Sequence, residues 1–191
     1  MSILTVEHLS HGFGDRAIFQ DVSFRMLKGE HIGLVGANGE GKSTFFNIIT
    51  GAQRPDEGKI EWAKNINIGY LDQHTVLEKG LSIRDVLKSA FADLFEMEIR
   101  MNTICEQLCD ADEDTMNALM EELGVIQDTL TLRDFYLIDS KVDEIARAFG
   151  LTDIGLDKDV TDLSGGQRTR ILLGKLLLQK PDILLLDEPT N

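Results

Sequence analysis

A glycine-rich stretch carries the strongest chemical signal in this chain, because it ends in a lysine and two hydroxyl side chains. It reads Gly36-Ala37-Asn38-Gly39-Glu40-Gly41-Lys42-Ser43-Thr44. Glycines let the backbone wrap closely, so that successive N–H groups point inward at an anion. Lys42 adds a point charge for phosphate oxygens, and the Ser43 hydroxyl suits Mg²⁺. The pattern predicts a loop that binds nucleotide phosphates; the alternative is a glycine-rich turn with a surface lysine.

The segments on either side of this loop decide whether it sits in the right context. The apolar run His31–Val35 precedes it and predicts a buried strand. The segment Phe45–Thr50 follows it and predicts the first turns of a helix, which Gly51 ends. A strand, a loop and a helix in this order are the context that a phosphate-binding loop requires.

The C-terminal part of the sequence contains a second pair of chemical groups. Ile183–Leu186 is a continuous aliphatic run that predicts a strand buried on both faces. It brings Asp187 and Glu188 to its carboxyl end, where ligands bind in open α/β sheets. Before it, Ser164–Gln167 opens a helix that Pro181 ends. We assign this helix, like the strand after it, to an α/β core.

Further strands are predicted by alternating or short apolar runs between turn residues. They cover Ile3–Leu9, Ile18–Met26, Lys59–Trp62 and Ile66–Leu71, with a turn over His11–Asp15 between the first two. The last of these strands leads into Asp72, Gln73 and His74.

Residues 82–150 differ in character, because their apolar residues recur with helical spacing. Ser82 is a candidate N-cap with Asp85 three residues later, and this first helix extends towards Leu108. A second helix carries Met116 to Leu123, and a third runs from Ser140 to Phe149. With 16 acidic and 6 basic residues, the segment holds −10 of the net charge of −14. We interpret it as an inserted helical subdomain with a hairpin at 82–135, and its acidity as a solvated face rather than a binding patch.

Composition narrows the class of protein. A chain of 191 residues with 42% hydrophobic content can form one domain with a subdomain. Its net charge of −14 argues against general attraction to nucleic acid. No apolar run is long enough for a membrane span, and the N-terminus does not resemble a signal peptide. Cys105 and Cys109 favour reduced structural thiols over a metal or redox site, which predicts a cytoplasmic protein.

Three motifs in this order resemble the ATP-binding cassette (ABC) ATPases. They are the loop at Gly36–Thr44, the run Leu163-Ser164-Gly165-Gly166-Gln167, and the aliphatic run that ends in Asp187 and Glu188, with Gln73 at a strand end between them. The resemblance covers the whole chain, although residues 82–150 match only in being helical. It implies an α/β P-loop NTPase fold with an antiparallel β subdomain and an inserted α-helical subdomain or arm. Residues 1–191 would form one ATP-binding domain, incomplete at its C-terminal end after the Walker B aliphatic strand.

The same resemblance implies ATP and Mg²⁺ as cofactors and gives residues their roles. Residues that would bind the phosphates are Gly36, Asn38, Gly39, Gly41, Lys42, Ser43 and Thr44. Phe13 would stack on adenine; its alternative is a packed turn aromatic. Ser164, Gly165, Gly166 and Gln167 would contact the ATP of a second cassette. Ser43, Gln73 and Asp187 would hold Mg²⁺. Glu188 would accept a proton from the attacking water, with Gln73 and Lys42 beside it in catalysis; its alternative is a structural acid.

Two features favour the soluble ABC-F branch over transporter cassettes. Gln73 and Ser164 lie 91 positions apart, and Asp187–Asn191 ends in Asn. ABC-F proteins carry two cassettes in one chain, have a helical arm in the first, and act on the ribosome in translation or antibiotic protection. The sequence resembles such an N-terminal cassette. The alternatives are the ATP-hydrolysing subunit of a membrane transporter and a DNA-maintenance protein.

We expect residues 1–191 alone to be inactive in ATP hydrolysis and to fold poorly. Ser164–Gly166 would act on another cassette's nucleotide. In the fold that the sequence resembles, a later strand lies between the strands Ile183–Leu186 and His31–Val35. Without that neighbour, both strands would have unpaired backbone groups.

Overall fold

The computed structural model describes residues 2–71 and 77–187. The chain divides into two compact units, one made of residues 1–73 with 181–189 and the other of residues 74–180 with 190–191. Within the described residues, the first unit contains the strands and one α-helix, and the second unit is helical.

An antiparallel sheet of three strands forms one part of the first unit. Its strands are β1 (Ser2–Phe13), β2 (Arg16–Leu27) and β3 (Glu57–Trp62), in the order β2–β1–β3. The alternation seen in the sequence explains the sheet, since Leu4 and Val6 of β1 are buried while Thr5 between them is only half-buried. The predicted turn over His11–Asp15 was too wide, because β1 continues to Phe13 and only Gly14 and Asp15 form the turn. Gly14 has φ 58°, which a two-residue hairpin turn requires.

A parallel pair of strands forms the other sheet of this unit. Here β4 (Ile68–Leu71) pairs with β5 (Ile183–Leu186), residue by residue from Ile68 opposite Ile183 to Leu71 opposite Leu186. The predicted burial of β5 on both faces holds only in part: Ile183 and Leu185 are buried, whereas the alternate leucines are half-buried. Parallel pairing brings the carboxyl ends of both strands to one edge.

The predicted strand at His31–Val35 is wrong, because this segment has no regular secondary structure. Ile32 and Leu34 are about half exposed, and Val35 is 95% exposed. An apolar run becomes a buried strand only when a neighbouring strand accepts its hydrogen bonds and a core covers its side chains. Within the described residues, β4 and β5 pair only with each other and no strand pairs with His31–Val35.

Helix α1 (Lys42–Ile49) packs on the hydrophobic core of the first unit. Ile48 and Ile49 are buried with Leu4, Val6 and Leu9 of β1. The indole N–H of Trp62 in β3 donates to the carbonyl of Ile49 at 2.8 Å. These contacts fix the helix, and with it the loop from which it starts.

In the part of the second unit that the structure describes, five α-helices surround one core. They are α2 (Ile83–Lys88), α3 (Ala92–Gln107), α4 (Glu113–Leu132), α5 (Ile138–Ala148) and α6 (Gly165–Leu178). The core is made of apolar side chains at helical spacing, and its fully buried members include Leu87, Ile104, Leu130, Val142 and Ile171. Gly150 has φ 65° and follows α5, as its predicted capping role requires.

Helices α3 and α4 form a hairpin whose connection is the acidic segment 108–112. Arg100 of α3 donates to both carboxylate oxygens of Glu122 in α4, each at 2.7 Å. This pairing lowers the pKa of the Glu122 carboxyl. Arg133 also pairs with Asp93 near the base of the hairpin. Cys105 and Cys109 are free and exposed, so neither is a core thiol.

Helix α6 packs within the helical unit rather than with the strands that follow it in sequence. A Cβ at Gly174 would lie 3.0 Å from Cγ2 of Ile145 in α5 and 3.3 Å from Cδ2 of Leu87 in α2. The sequence had placed this helix in the α/β core; the close approach of three helices at a glycine explains the observed packing. Across residues 2–71 and 77–187, every helix is too short or too polar to span a lipid bilayer.

A capping box starts the helical unit and leads to a first testable prediction. Ser82 Oγ accepts from the Asp85 N–H at 3.1 Å, and Asp85 Oδ2 accepts from the Ser82 N–H at 3.0 Å. Ser82→Ala removes an acceptor from the helix N-terminus and should destabilise the protein by about 0.5–2 kcal/mol in urea unfolding. The control Ser140→Ala, at an exposed position inside α5, should have a smaller effect; equal effects would contradict the capping role.

The capping box also predicts how stability depends on pH. Its hydrogen bonds from Ser82 lower the pKa of Asp85 from the ordinary value of 3.8. A carboxyl whose pKa is lower in the folded state stabilises the fold above pH 3.8. That stabilisation is lost as pH falls through the lowered value, so Asp85→Asn should cost stability at pH 7 and progressively less in acid.

Candidate nucleotide-binding site

The candidate site is built on the loop that leads into α1. Gly41 precedes the helix with φ 95°, and Gly39 has φ 81°. Both values are in the left-handed region that favours glycine. A Cβ at Gly41 would also lie 2.0 Å from Cγ2 of Ile18 in β2, so the packing of the loop on β2 requires glycine here. The two glycines therefore turn the chain into the helix start.

The first turn of α1 supplies the polar groups of the loop. Helical hydrogen bonding starts with the Phe45 N–H, which donates to the Gly41 carbonyl at 2.8 Å. The N–H groups at the start of an α-helix lie beyond its internal hydrogen bonding and face the preceding loop, and such a helix start favours an anion. Ser43 is exposed and Thr44 half-buried in this turn. The loop residues Gly36 and Asn38 are exposed as well.

Two charged side chains make contacts inside the loop. The Lys42 Nζ donates to the carbonyls of Gly36 and Ala37, both at 3.0 Å. Glu40 Oε2 accepts from the Ala37 N–H at 2.7 Å. A Cβ at Gly36 would lie 2.9 Å from that carboxylate oxygen. The ammonium group of Lys42 is thus held within the loop. The carboxylate of Glu40, for which the sequence predicted no role, accepts a hydrogen bond from one backbone N–H of the loop.

Rings on three strands and α1 connect the loop to the sheets. Phe45 packs edge-on against Phe19 of β2 at 5.8 Å between centroids, and Phe46 packs against Tyr70 of β4 at 5.9 Å. Phe19 in turn contacts His11 of β1 at 6.1 Å. These contacts explain how the apolar residues after Thr44 hold the loop in position.

Phe13 is the last residue of β1 and is 56% exposed. It lies at the end of the strand rather than in the turn, and its stacking on adenine stays a prediction. Its ring meets the ring of His11 edge-on, with centroids 5.0 Å apart. An exposed aromatic ring in the unit that carries the phosphate loop is suited to stacking on a base.

Asp187 follows β5 and is buried, with 5% exposure. Its N–H donates to the Leu71 carbonyl at 3.4 Å, which continues the pairing of β4 with β5. The carboxylate thus lies at the edge where both parallel strands end. Gln73 and Glu188, which were predicted to join it, lie outside the described residues.

The remaining predicted residues open helix α6 in the helical unit. Ser164 Oγ accepts from the Gln167 N–H at 3.4 Å, and Gln167 Oε1 accepts from the Ser164 N–H at 2.9 Å. Around Gly165 and Gly166 a Cβ would meet no atom within 4 Å. The side chain of Gln167 therefore caps its own helix, a local role that the spacing of Ser164 and Gln167 could have indicated. The two glycines leave the helix start open.

A family model described as ABC transporter matches residues 19–191. The chain belongs to the ABC transporter family. That family consists of ATP-binding cassettes with ATPase activity, which accounts for the loop before α1 and the acidic residue after β5. Within the described residues, no three His, Cys, Asp or Glu side chains form a metal-binding group.

Curated relatives of this ABC chain include members of the ABC-F branch. It is 72% identical over 191 residues to the uncharacterized ABC transporter ATP-binding protein YfmM of Bacillus subtilis, covering all of this chain and 37% of YfmM. It is 33% identical to ABC transporter F family member 2 of Arabidopsis thaliana, and the match covers 97% of this chain and 28% of that protein. It is 35% identical to the energy-dependent translational throttle protein EttA of Mycobacterium tuberculosis, and the match covers 99% of this chain and 33% of EttA. The chain thus spans about a third of the length of these relatives, and the predicted resemblance to ABC-F proteins is confirmed.

Solved structures agree on the fold. The ATP-binding subunit of an ABC transporter superposes with a TM-score of 0.65 at 21% identity, covering 98% of this chain and 67% of the other. A nucleotide-free ATP-binding cassette from an ABC transporter superposes with a TM-score of 0.60 at 21% identity, and the match covers 100% of this chain and 70% of the other. At these identities the likeness shows the fold alone. The predicted α/β cassette fold with an antiparallel sheet and helices is confirmed.

Proposed function

We propose that this cassette binds ATP with Mg²⁺ at the loop Gly36–Thr44. The observation that carries the proposal is the start of α1, where left-handed glycines turn the chain and Lys42 lies within the loop. Positive partial charge at a helix start and a lysine ammonium together suit a triphosphate. Phe13, with its exposed ring, is suited to the adenine.

Oxygen donors at two places fit Mg²⁺, which prefers oxygen ligands. Ser43 offers an exposed hydroxyl in the first turn of α1, and Asp187 offers a buried carboxylate at the end of β5. Gln73, which follows β4 by two positions in the sequence, would complete the set. When bound, the metal neutralises charge on the phosphates during transfer.

Hydrolysis would use Glu188, which follows Asp187 directly. A carboxylate at this position can accept a proton from the attacking water. Ser164, Gly165 and Gly166 would contact the nucleotide of a second cassette, because a helix start with no side chains at two positions admits a phosphate closely. Gln167 would act there by fixing the helix start.

The cellular role that we propose is that of a cytoplasmic ABC-F protein acting on the ribosome, with a second cassette in the same protein. Support comes from the ABC-F name of one relative and the translational name of another, and from the helical hairpin between β4 and α6. The second candidate is an ATP-hydrolysing transporter subunit. It is favoured by the name of the 72% identical relative, an ABC transporter ATP-binding protein.

Fractionation of cells that express the intact protein separates these two functions. Lysates are centrifuged through sucrose with a slowly hydrolysed ATP analogue or with ADP, and the protein is followed in ribosomal and membrane fractions. We expect sedimentation with ribosomes in the analogue and release in ADP. Recovery with membranes in both nucleotides would support the transporter function instead.

The hairpin of α3 and α4 provides a structural test of the ribosomal role. Replacing residues 101–121 by a short glycine-serine linker removes the part beyond the Arg100–Glu122 pair and keeps that pair at the new tip. We expect ribosome binding to weaken by about tenfold or more, as after loss of a central contact. ATP affinity should stay unchanged, because the loop Gly36–Thr44 lies in the other unit. Unchanged ribosome affinity would make the hairpin a structural spacer.

A further inference from the structure

His11 is a buried polar side chain to which the proposed function gives no role. Its side chain is only 6% exposed, although it lies near the end of β1. Burying an imidazole costs free energy unless its two nitrogens find partners. The surroundings of these nitrogens therefore indicate why a histidine occupies this position.

One ring nitrogen has a clear partner. Nε2 of His11 lies 2.8 Å from the side-chain nitrogen of Gln53. An amide nitrogen only donates, so Nε2 accepts and the proton of the neutral ring is on Nδ1. That Nδ1 lies 3.3 Å from Oδ2 of Asp56 but forms no hydrogen bond with it. The ring is thus bonded by the Gln53 amide on one side and lies close to a carboxylate on the other.

Asp56 holds the backbone around His11 as well. Its Oδ2 accepts from the Gly12 N–H at 2.9 Å, and its own N–H donates to the Ser10 carbonyl at 3.1 Å. The residues on both sides of His11 are therefore fixed to the segment that precedes β3. This leaves the imidazole little freedom to turn.

The fixed imidazole packs directly against Phe13. The two rings are nearly perpendicular, at 85°, with centroids 5.0 Å apart. On its other side, His11 contacts Phe19, which packs on Phe45 of α1. Phe13 itself is 56% exposed, and His11 is its ring contact within the described residues. The orientation of an exposed ring at a strand end depends on such a contact.

We infer that His11 is a positioning residue for Phe13: held by Gln53 and by the backbone that Asp56 fixes, its ring edge keeps the Phe13 ring in the orientation that stacks on a nucleotide base. This inference rests on the proposed binding of ATP. A histidine that only fills the core would instead stabilise the whole unit, and its loss would affect the phosphate loop and the base site alike.

Calorimetric titration of the intact protein with Mg·ATP and with magnesium tripolyphosphate, which has no base, distinguishes these roles. Lys42→Ala removes the proposed phosphate contact, so the binding of either ligand that remains in this variant measures binding away from the loop. We expect Phe13→Ala and His11→Ala each to weaken ATP binding by about 2- to 10-fold, the worth of one aromatic contact, and to leave tripolyphosphate binding unchanged. His11→Phe keeps a ring edge against Phe13 but loses the contact with Gln53, so its ATP affinity should lie between those of the wild type and of His11→Ala.

The outcomes also separate this inference from the proposed function. Normal ATP affinity in His11→Ala, or equal losses for ATP and tripolyphosphate, would overturn the positioning role while ATP binding stands. Wild-type protein that binds neither ligand would contradict the proposed function itself. If His11→Ala fails to fold by thermal melting, His11→Gln replaces it, because it keeps an amide near Gln53 but has no ring.

Discussion

Glu188→Gln should reduce ATP turnover by the intact protein by about 10²- to 10⁴-fold, the range that a general base contributes. Glutamine keeps the size and polarity of the side chain but accepts no proton at neutral pH. Nucleotide binding should persist, because the phosphates would be held by the loop before α1. Phosphate release under steady-state conditions measures the first effect, and calorimetry measures the second.

A matched substitution distinguishes this effect from general damage. Glu144→Gln makes the same chemical change at an exposed position of α5, and its turnover should equal that of the wild type. The Glu188→Gln protein should also accumulate with ATP bound, so that it stays on its target in the sedimentation experiment. Turnover at the wild-type rate would show that Glu188 is not the base and would favour its alternative role as a structural acid.

Lys42→Ala should weaken Mg·ATP binding by about 1.5–3 kcal/mol, because it removes a charge-assisted contact to phosphate. This corresponds to about 10- to 150-fold in Kd. The ammonium also donates to the Gly36 and Ala37 carbonyls, so the loop loses two internal contacts at the same time. Calorimetry on the intact protein is the direct measurement.

Lys59→Ala provides the control for this change in net charge. Lys59 lies on β3, is largely exposed and pairs with Glu61. Its loss should leave Kd within about twofold, since an exposed ion pair contributes little. If both alanine variants bind Mg·ATP like the wild type, the loop Gly36–Thr44 is not the nucleotide site.

The parts of the fold that could be predicted from the sequence are those whose signal is local. The alternation in β1 and the cap at Ser82 are patterns of neighbouring residues, and both form in the structure. The loop before α1 is local as well, since two left-handed glycines at fixed spacing lead into the start of the helix. Its binding of phosphate stays a prediction from the residue types and their spacing.

The predictions that were wrong or missing concern residues whose structure depends on partners far away in the sequence. His31–Val35 has the composition of a buried strand, but composition does not say which strand lies beside it. Helix α6 has the same apolar spacing whichever core it joins, and its packing at Gly174 depends on helices more than 25 residues away. His11 gave no signal by itself, because its partners Gln53 and Asp56 are about 40 residues further along the chain.

If ATP binds at the loop Gly36–Thr44 as proposed, the carboxylate of Glu40 makes that binding an exchange of one anion for another. A phosphate oxygen that is to accept from the Ala37 N–H must first replace an anion that is tethered three residues away. The tethered group acts as an intramolecular competitor, whose local concentration does not change on dilution. The measured Kd is then the intrinsic one divided by the fraction of loops that have released Glu40. Selection for weaker or tighter nucleotide binding could therefore act on Glu40 through its contact with the loop backbone.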